Sequence, residues 1–158
     1  MFYEKDFMKT KEMSNISETL LKGKITELKC ELWFLEHGYL VSMPEVPYQY
    51  DFLVDIDNKI YKIQVKTCRE TGDGAIIFNL SSVTHNQQGY TKRIYNEKSV
   101  DYFMTEYNDN FYLVPFEECG NKEKRLRLIP TKSGQVKGIS FAKDYLAEKI
   151  LHEEEVVE

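Results

Sequence analysis

Two β-rich segments separated by only a few residues constrain the fold of this chain more than any other feature of its sequence. The segments cover residues 50–56 and 60–67, and the Asp-Asn pair at 57–58 lies between them. Aspartate and asparagine readily adopt the positive φ angles of a tight hairpin turn. Within residues 60–67 polar and apolar side chains alternate, so Gln64 and Lys66 point to the same face. The sequence therefore predicts an antiparallel hairpin that carries two polar groups side by side.

A long helix and several shorter elements are predicted around this hairpin. Residues 17–37 are predicted to be helical, because leucine and isoleucine recur at intervals of three and four and Gly38 follows in a common stop position. Residues 81–96 are polar and mixed, which favours a loop leading into a short helix. A closing helix is predicted for residues 141–152. Further short strands are predicted at 39–43, 75–80, 102–105, 111–114 and 126–129.

Length and composition are those of one folded domain. A chain of 158 residues can bury a substantial core, so we expect a single domain over 1–158, with its core at about 17–150. No apolar run approaches the roughly 20 residues that span a bilayer, and residues 1–13 lack the apolar stretch of a secretory signal. We therefore expect a cytoplasmic protein without membrane contact. The three cysteines form no CxxC pair, which argues against a disulfide framework or a zinc site.

The formal net charge of −5 does not by itself decide whether the chain binds nucleic acid. Phosphate binding rewards positive charge, so the overall balance is unfavourable. Four of the acids, Glu153, Glu154, Glu155 and Glu158, lie in the last six residues, and the rest of the chain carries only −1. We expect residues 153–158 to be disordered, which leaves a nearly neutral body that can present a basic face.

A helix glutamate, an aspartate at the start of the hairpin and the polar face of its second strand form the candidate metal site. Magnesium prefers hard oxygen ligands and needs only one or two carboxylates beside a substrate phosphate. Asp51 is the expected direct ligand, and Gln64 can add an amide oxygen. The backbone carbonyl of Val65 and the carboxylate of Glu27 complete the predicted ligand set. Lys66 stands beside the ion, where an ammonium group can orient a water and balance charge on the phosphorus.

The segments that carry these residues resemble the PD-(D/E)XK nuclease superfamily. They are Gly23-Lys24-Ile25-Thr26-Glu27, Tyr50-Asp51 and Gln64-Val65-Lys66-Thr67. With a glutamate helix ahead of QVKT, the chain is most similar to the bacterial intron-encoded homing endonucleases of that superfamily. The resemblance spans residues 23–114 and implies an α/β (α+β) fold with a restriction-endonuclease-like core, in which helices flank a central mixed β-sheet. It also implies hydrolysis of DNA phosphodiester bonds with Mg²⁺, for which Mn²⁺ is an expected substitute.

Two positions depart from the usual pattern of that superfamily. Tyr50 stands where a proline normally precedes the metal-binding aspartate. Gln64 replaces the usual acidic residue, and its uncharged amide oxygen binds a cation less strongly. The result is either a weaker site or one in which Glu27 supplies the missing carboxylate. The homing branch that the chain resembles also tolerates glutamine at this position, so we expect an active Mg-dependent endodeoxyribonuclease. The alternative for the whole set is a group of solvated polar side chains on a helix and a sheet face.

A polar segment at residues 86–93 is the predicted DNA-contact region. It combines amides that can read adenine edges with cations suited to phosphates. The predicted DNA-binding residues are Arg69, Gln87, Gln88, Tyr90, Lys92 and Arg93. Lys98 is a weaker candidate, and the basic residues at 122–127 are either a second phosphate-binding surface or an ordinary charged hairpin.

The predicted function is a metal-dependent DNA endonuclease, site-specific on duplex DNA in the manner of homing enzymes. One small domain holds one site and cutting both strands calls for two, so a homodimer or homotetramer is expected. Two alternatives stay open. One is a structure-selective nuclease similar to Holliday junction resolvases, and the other is a noncatalytic DNA-binding module that keeps the nuclease fold.

Overall fold

The described part of the chain, residues 17–86 and 89–155 of a computed structural model, forms three sheets and two helices. Its elements are, in chain order, α1 (Glu18–Glu36), β1 (Leu40–Ser42), β2 (Phe52–Ile56), β3 (Lys59–Val65), β4 (Arg69–Thr71), β5 (Ala75–Asn79), β6 (Ser81–Asn86), β7 (Gly89–Ile94), β8 (Tyr102–Tyr107), β9 (Asn110–Pro115), β10 (Glu123–Arg127) and α2 (Ala147–Glu155). Short 3-10 turns lie at Phe116–Glu118 and Ala142–Asp144. Among these residues no helix combines the length and the apolar character needed to cross a bilayer.

The predicted hairpin at residues 50–67 is confirmed. β2 and β3 pair antiparallel, and Asp57 and Asn58 connect them with φ angles of 51° and 63°. The same turn chemistry joins β8 to β9, where Asn108 and Asp109 have positive φ. β3 pairs with β8 in parallel, which makes this central sheet mixed, with the order β1-β2-β3-β8-β9. A second sheet has the order β10-β5-β4. The fold is therefore the predicted α+β arrangement of a mixed sheet flanked by helices.

The core lies mainly between the central sheet and α1, which packs against β1, β3 and β8. The inner side of α1 buries Thr26, Cys30, Trp33 and Phe34. The ring of Phe34 meets that of Phe52 edge-on, with 5.9 Å between ring centres. Alternate residues of each strand face this core. Its fully buried sheet residues include Phe52, Val54, Ile63, Met104 and Leu113.

The leucines that predicted α1 do not face the sheet. The helix itself is confirmed within one residue of its predicted bounds. Its leucines and its isoleucine are nevertheless between 39% and 70% exposed: Leu20, Leu21, Ile25, Leu28, Leu32 and Leu35. α1 therefore carries apolar side chains on its outer side as well as on its inner side.

Residues 81–96 differ from the prediction. The expected loop and short helix are wrong, because β6 and β7 pair antiparallel here, from Ser81 opposite Ile94 to Asn86 opposite Gly89. This two-stranded sheet, called the ribbon below, pairs with no other strand in the described part of the chain. Polar residues dominate both of its strands, so the sequence shows no alternation of apolar residues. Backbone pairing across a ribbon does not require such alternation.

The closing helix begins later than predicted. Ala142–Asp144 forms a 3-10 turn and Leu146 makes a β-bridge with Tyr112, so α2 starts only at residue 147. α2 ends at residue 155, and residues 156–158 lie outside the described residues. Residues 153–155 belong to α2, so the expected disorder stays a prediction for residues 156–158.

Candidate active site

Asp51 lies where the chain enters the central hairpin. Its backbone N–H donates to the carbonyl of Ile63 at 2.9 Å, which fixes the residue beside the end of β3. Its carboxylate oxygen Oδ2 accepts two hydrogen bonds of 2.6 Å, one from the backbone N–H of Val65 and one from Nε2 of Gln64. The hairpin register therefore brings together three of the residues that the sequence predicts to share a site.

The amide group of Gln64 bridges two oxygens of this site. The residue is buried, and its Nε2 donates to Oδ2 of Asp51 at 2.6 Å and to the backbone carbonyl of Val65 at 3.2 Å. Half a turn of the amide about its last carbon–carbon bond presents Oε1 to the same place. Carboxylate, amide and peptide oxygens then surround one point, and these are ligands that Mg²⁺ prefers. The residues present therefore fit a divalent cation.

Glu27 approaches the same region from α1. Its side chain accepts a hydrogen bond of 2.8 Å from Nζ of Lys24, three residues earlier on the helix. The hydroxyl groups of Thr67 and Thr26 meet at 3.3 Å, which joins the end of the hairpin to α1 directly beside Glu27. Glu27 also adds negative charge near Asp51. The helix thus supplies a second carboxylate to the surroundings of the site, while its hydrogen bond goes to Lys24.

Burial raises the pKa of Asp51 to about 6, above its ordinary value of 3.8. The hydrogen bond from Val65 opposes this rise, and the negative charge of Glu27 adds to it. The positive charge of Lys66 and the hydrogen bond from Gln64 also oppose it. Burial disfavours the charged form of a carboxylate, and a positive charge close to it offsets that cost. The electrostatics of the site therefore favour a bound cation.

Few carboxylates are available for such a cation. Within residues 17–86 and 89–155, no three Asp, Glu, His or Cys side chains lie together as a metal-binding group. An ion held here would therefore have at most two such side chains beside it, and neutral oxygens would supply its remaining protein contacts. Magnesium suits this arrangement, since it commonly keeps several of its own waters.

Lys66 directly follows β3 and is held by Tyr95. Its Nζ donates to Oη of Tyr95 at 3.0 Å and to the backbone carbonyl of Ser81 at 3.5 Å, and it lies 4.6 Å from the centre of the Tyr95 ring. The backbone N–H of Lys66 donates to the carbonyl of Met104 at 2.8 Å. The positive charge of Lys66 is close enough to lower the pKa of Asp51, although its ammonium group is directed to Tyr95.

Tyr95 is a residue of this site that the sequence analysis missed. It is buried, and its ring packs edge-on against Phe103 with 5.4 Å between ring centres. The chain has eleven tyrosines, and the residues around Tyr95 do not distinguish it from tyrosines that only fill the core. Its role beside Lys66 becomes visible only in the folded chain.

The predicted DNA-contact residues are described only in part. Arg69 is exposed on β4, an edge strand of the second sheet, and Lys92 is exposed on β7. Tyr90 and Arg93 also lie on β7, where their backbone but not their side chains are described. Outside the described residues lie Gln87 and Gln88. Contact of these six residues with DNA stays a prediction.

The basic segment at residues 122–127 is engaged largely within the protein. Arg125 and Arg127 both pair with Asp73, the second at 2.9 Å. Lys124 is buried, and its Nζ donates to the backbone carbonyl of Glu118 at 2.7 Å. These contacts favour an ordinary charged strand over a second phosphate-binding surface.

Known proteins share both sequence and fold features with this chain. A model of the family described as PD-(D/E)XK endonuclease matches residues 17–148. The solved structure of a bacterial homing endonuclease, I-Ssp6803I, has the same fold, with a TM-score of 0.66 and 21% sequence identity, and the match covers 89% of this chain and 98% of that one. No curated protein matches the chain. Because the family model spans most of its length, the chain belongs to the PD-(D/E)XK endonuclease family.

Proposed function

We propose that this chain is a metal-dependent DNA endonuclease that hydrolyses phosphodiester bonds at the site formed by Asp51, Gln64, Val65, Glu27 and Lys66. Membership of an endonuclease family supports an enzyme that acts on DNA. One observation carries the proposal for the site. The Gln64 amide bridges the Asp51 carboxylate and the Val65 carbonyl, so three proposed metal ligands surround one point.

Asp51, the Val65 carbonyl, Oε1 of Gln64 and Glu27 would hold Mg²⁺, or Mn²⁺ in its place. A divalent ion, when bound, polarises a phosphate oxygen and lowers the pKa of water. Asp51 is mostly ionised at neutral pH, since its pKa is about 6, and a bound cation would lower that pKa further because positive charge offsets burial. Gln64 would present Oε1 to the ion with its amide turned by half a rotation. The hydrogen bond from the backbone of Val65 holds the Asp51 carboxylate in place.

Lys66 serves the substrate side of the proposed site. Its ammonium group orients the attacking water and balances the charge that builds up on the phosphate in the transition state. Tyr95 is a positioning residue, because its hydroxyl and ring hold Nζ of Lys66. The bond to Tyr95 joins a charged donor to a neutral acceptor, whereas a phosphate oxygen carries negative charge and attracts the ammonium group more strongly. A phosphate oxygen therefore competes well with the Tyr95 hydroxyl for the ammonium group.

We propose duplex DNA, cut at specific sites, as the substrate and the ribbon as the element that contacts it. A two-stranded β-ribbon fits the major groove, where base edges can be read. Lys92 is exposed on β7, and Tyr90 and Arg93 belong to the same strand. Arg69 would add a phosphate contact. The fold shared with a protein titled a homing endonuclease agrees with site-specific cleavage.

The proposed working form is a homodimer or homotetramer in the cytoplasm. Each chain contributes one site, and both strands of a duplex must be cut. Two copies related by a two-fold axis match the two-fold symmetry of a duplex backbone.

The test compares the wild type with Lys66→Ala and Lys62→Ala, in Mg²⁺ or in EDTA. The substrates are supercoiled plasmid, a randomised duplex library whose cut ends are captured and sequenced, and synthetic four-way junctions. Lys62 is a matched control, because it lies on β3 four residues before Lys66 and its Nζ donates to the carbonyl of Lys98 instead. We expect Mg-dependent duplex cleavage by the wild type and by Lys62→Ala. Lys66→Ala should lose at least about a hundredfold in rate.

The remaining outcomes separate the alternatives. Cleavage confined to junctions would replace the homing-type proposal with a resolvase-like nuclease. A folded wild-type protein that cuts none of the substrates, and binds neither Mg²⁺ nor Ca²⁺ in calorimetry, would contradict the proposal and leave a noncatalytic DNA-binding module.

A further inference from the structure

A row of exposed apolar side chains runs along the outer side of α1. We call it the outer seam, and it consists of Leu21, Ile25, Leu28, Leu32 and Leu35. Each of these residues is between 39% and 53% exposed. The intervals between them are four, three, four and three residues, which is the repeat of a coiled coil. The row is about 21 Å long at about 1.5 Å per residue, and a continuous apolar surface of this kind marks an interaction site.

The outer seam is separate from the side on which α1 packs against the sheet. That inner side is formed by Thr26, Cys30, Trp33 and Phe34. A surface helix normally has one apolar and one polar side, whereas a helix that is apolar on both sides is normally covered on both. The outer seam therefore calls for a partner in addition to the sheet.

We propose that the partner is a second copy of this chain, whose α1 packs antiparallel so that seam meets seam with Leu28 at the two-fold axis. Burial of the seam supplies the attraction. The charged residues beside the seam select the orientation, as they do in coiled coils. One flank of the seam carries Lys22, Lys29 and Glu36, and the other carries Lys24 and Glu31.

Antiparallel packing sets opposite charges against each other. Each flank then meets the same flank of the second copy in reverse order. Lys24 faces Glu31 of the second copy, and Lys22 faces Glu36 of the second copy. Both contacts occur twice because of the two-fold axis. Exposed ion pairs are individually weak, so they select the orientation and do not drive the association.

Parallel packing sets like charges against each other. Lys24 would then face Lys29, and Glu31 would face Glu36, on both sides of the pair. The antiparallel form has one unfavourable contact, between Lys29 and its own copy. That contact is relieved within each chain, because Nζ of Lys29 pairs with Glu106 at 3.2 Å.

Antiparallel packing also sets both candidate sites on one face of the dimer. Glu27 directly precedes Leu28 and extends from the flank of Lys24, with which it pairs. The two-fold axis runs perpendicular to both helices and keeps this flank on the same side in both copies. A parallel pair would set the two sites on opposite faces. Two sites on one face can both reach a single duplex. This advantage for cleavage rests on the proposed function, whereas the proposed interface does not.

The first test measures the mass of the full chain by analytical ultracentrifugation over a wide range of concentrations. We expect the mass of two chains, or of four. Leu32→Glu should raise the dissociation constant of the pair at least about a hundredfold. Val46→Glu is the matched control, because Val46 is apolar, 68% exposed and outside α1, and it should leave the constant unchanged. A wild-type mass of one chain at every concentration would overturn the proposal and leave residues 1–16 as the candidate cover of the seam.

The second test reverses charges beside the seam with substitutions that do not destabilise α1 itself. Lys22→Glu adds an acid to the first half of α1 and Glu36→Lys adds a base at its end, and both suit the helix dipole. Each change alone should raise the dissociation constant several-fold, and the two together should restore it. A tighter pair with Glu36→Lys alone would overturn the antiparallel orientation, because a parallel partner sets Glu31 against this position.

The third test cross-links single cysteines with a short bis-maleimide. Leu28→Cys should link to itself, whereas Leu35→Cys should link only when mixed with Leu21→Cys. The wild type gives the background, since Cys30 and Cys68 are buried and Cys119 is partly buried. Self-linking of Leu35→Cys as efficient as that of Leu28→Cys would overturn the proposal. These assays contain no DNA, so a dimer without cleavage would contradict the proposed function alone, and cleavage by a chain that fails these tests would contradict the interface alone.

Discussion

The hairpin of β2 and β3 and the ribbon of β6 and β7 share one architecture but differ in what surrounds them. The hairpin lies inside the central sheet, with Phe52, Val54 and Ile63 fully buried. Burial on this scale fixes its register, because a slip of one residue would turn every side chain to the other face. The ribbon exposes Lys92 and Ile94 and pairs with no other described strand. A buried hairpin can therefore hold polar atoms 2.6 Å apart, while an exposed one is available to another molecule.

The largest expected effect is the loss of cleavage when the hairpin loses its aspartate. Asp51→Asn should lower the single-turnover rate at least about a thousandfold, equivalent to about 4 kcal/mol, because it removes the main carboxylate ligand. Calcium binding in calorimetry should disappear with it. Asp55→Asn, on the adjoining strand β2, is the control and should cleave as the wild type does. Equal losses in the two variants would show that Asp51 has no special role.

An isoleucine-to-alanine substitution should lower the free energy of unfolding much more in the hairpin than in the ribbon. Ile63→Ala removes a fully buried side chain and should lower the free energy of unfolding by about 3 kcal/mol. Ile94 is 72% exposed, so Ile94→Ala should change it by less than about 0.5 kcal/mol. Urea unfolding measures both. A large loss with Ile94→Ala would mean that the ribbon is buried against another surface in solution.

The raised pKa of Asp51 should make the stability of the metal-free chain depend on pH. The folded chain binds this proton more tightly than the unfolded chain does, so the free energy of unfolding falls as the pH rises from about 4 through about 6 and then levels off. This one group contributes on the order of 2 kcal/mol to that fall. Urea unfolding in EDTA at several pH values measures it, with Asp51→Asn as the reference that lacks this contribution. Identical pH profiles for the two proteins would contradict the prediction.

The smallest expected effect is the loss of one cation from the ribbon. Lys92→Ala should weaken DNA binding a few-fold and reduce the slope of log affinity against log salt by about one, as expected for one phosphate contact. The free energy of unfolding of Lys92→Ala should equal that of the wild type, because Lys92 is exposed. Lys137→Ala, another exposed lysine but outside the ribbon, is the control for net charge. The same slope in all three proteins would remove Lys92 from the DNA contact.

The parts of the fold that depend on local chemistry could be predicted from the sequence. Asp57 and Asn58 specify a tight turn, and the alternation after them specifies a strand, so the central hairpin needed no information from elsewhere in the chain. The sequence of the ribbon shows no alternation of polar and apolar residues. The spacing of leucines predicted α1 but not which side of it meets the sheet. Which side of α1 packs against the sheet depends on how the whole helix fits the surface beneath it, and Trp33 and Phe34 fill that surface.

The contacts of the candidate site likewise include some that could be predicted from the sequence and some that could not. Asp51, Gln64 and Val65 could be grouped from the sequence, because pairing in the hairpin sets the residue before β2 beside the end of β3. The contact between Lys66 and Tyr95 joins residues 29 positions apart. It depends on the parallel pairing of β3 with β8, and no local feature of the sequence specifies that pairing.

The hydrogen bonds of Gln64 determine how the site tolerates chelation. They give Oδ2 of Asp51 and the carbonyl of Val65 partners from within the chain. A glutamate at this position would set a second anion against Asp51 and make the hairpin depend on an ion to offset the repulsion. With glutamine, these oxygens stay satisfied when the ion is withdrawn. At the proposed metal site an amide would bind the ion less strongly than a carboxylate does, while the scaffold would stay independent of the metal supply.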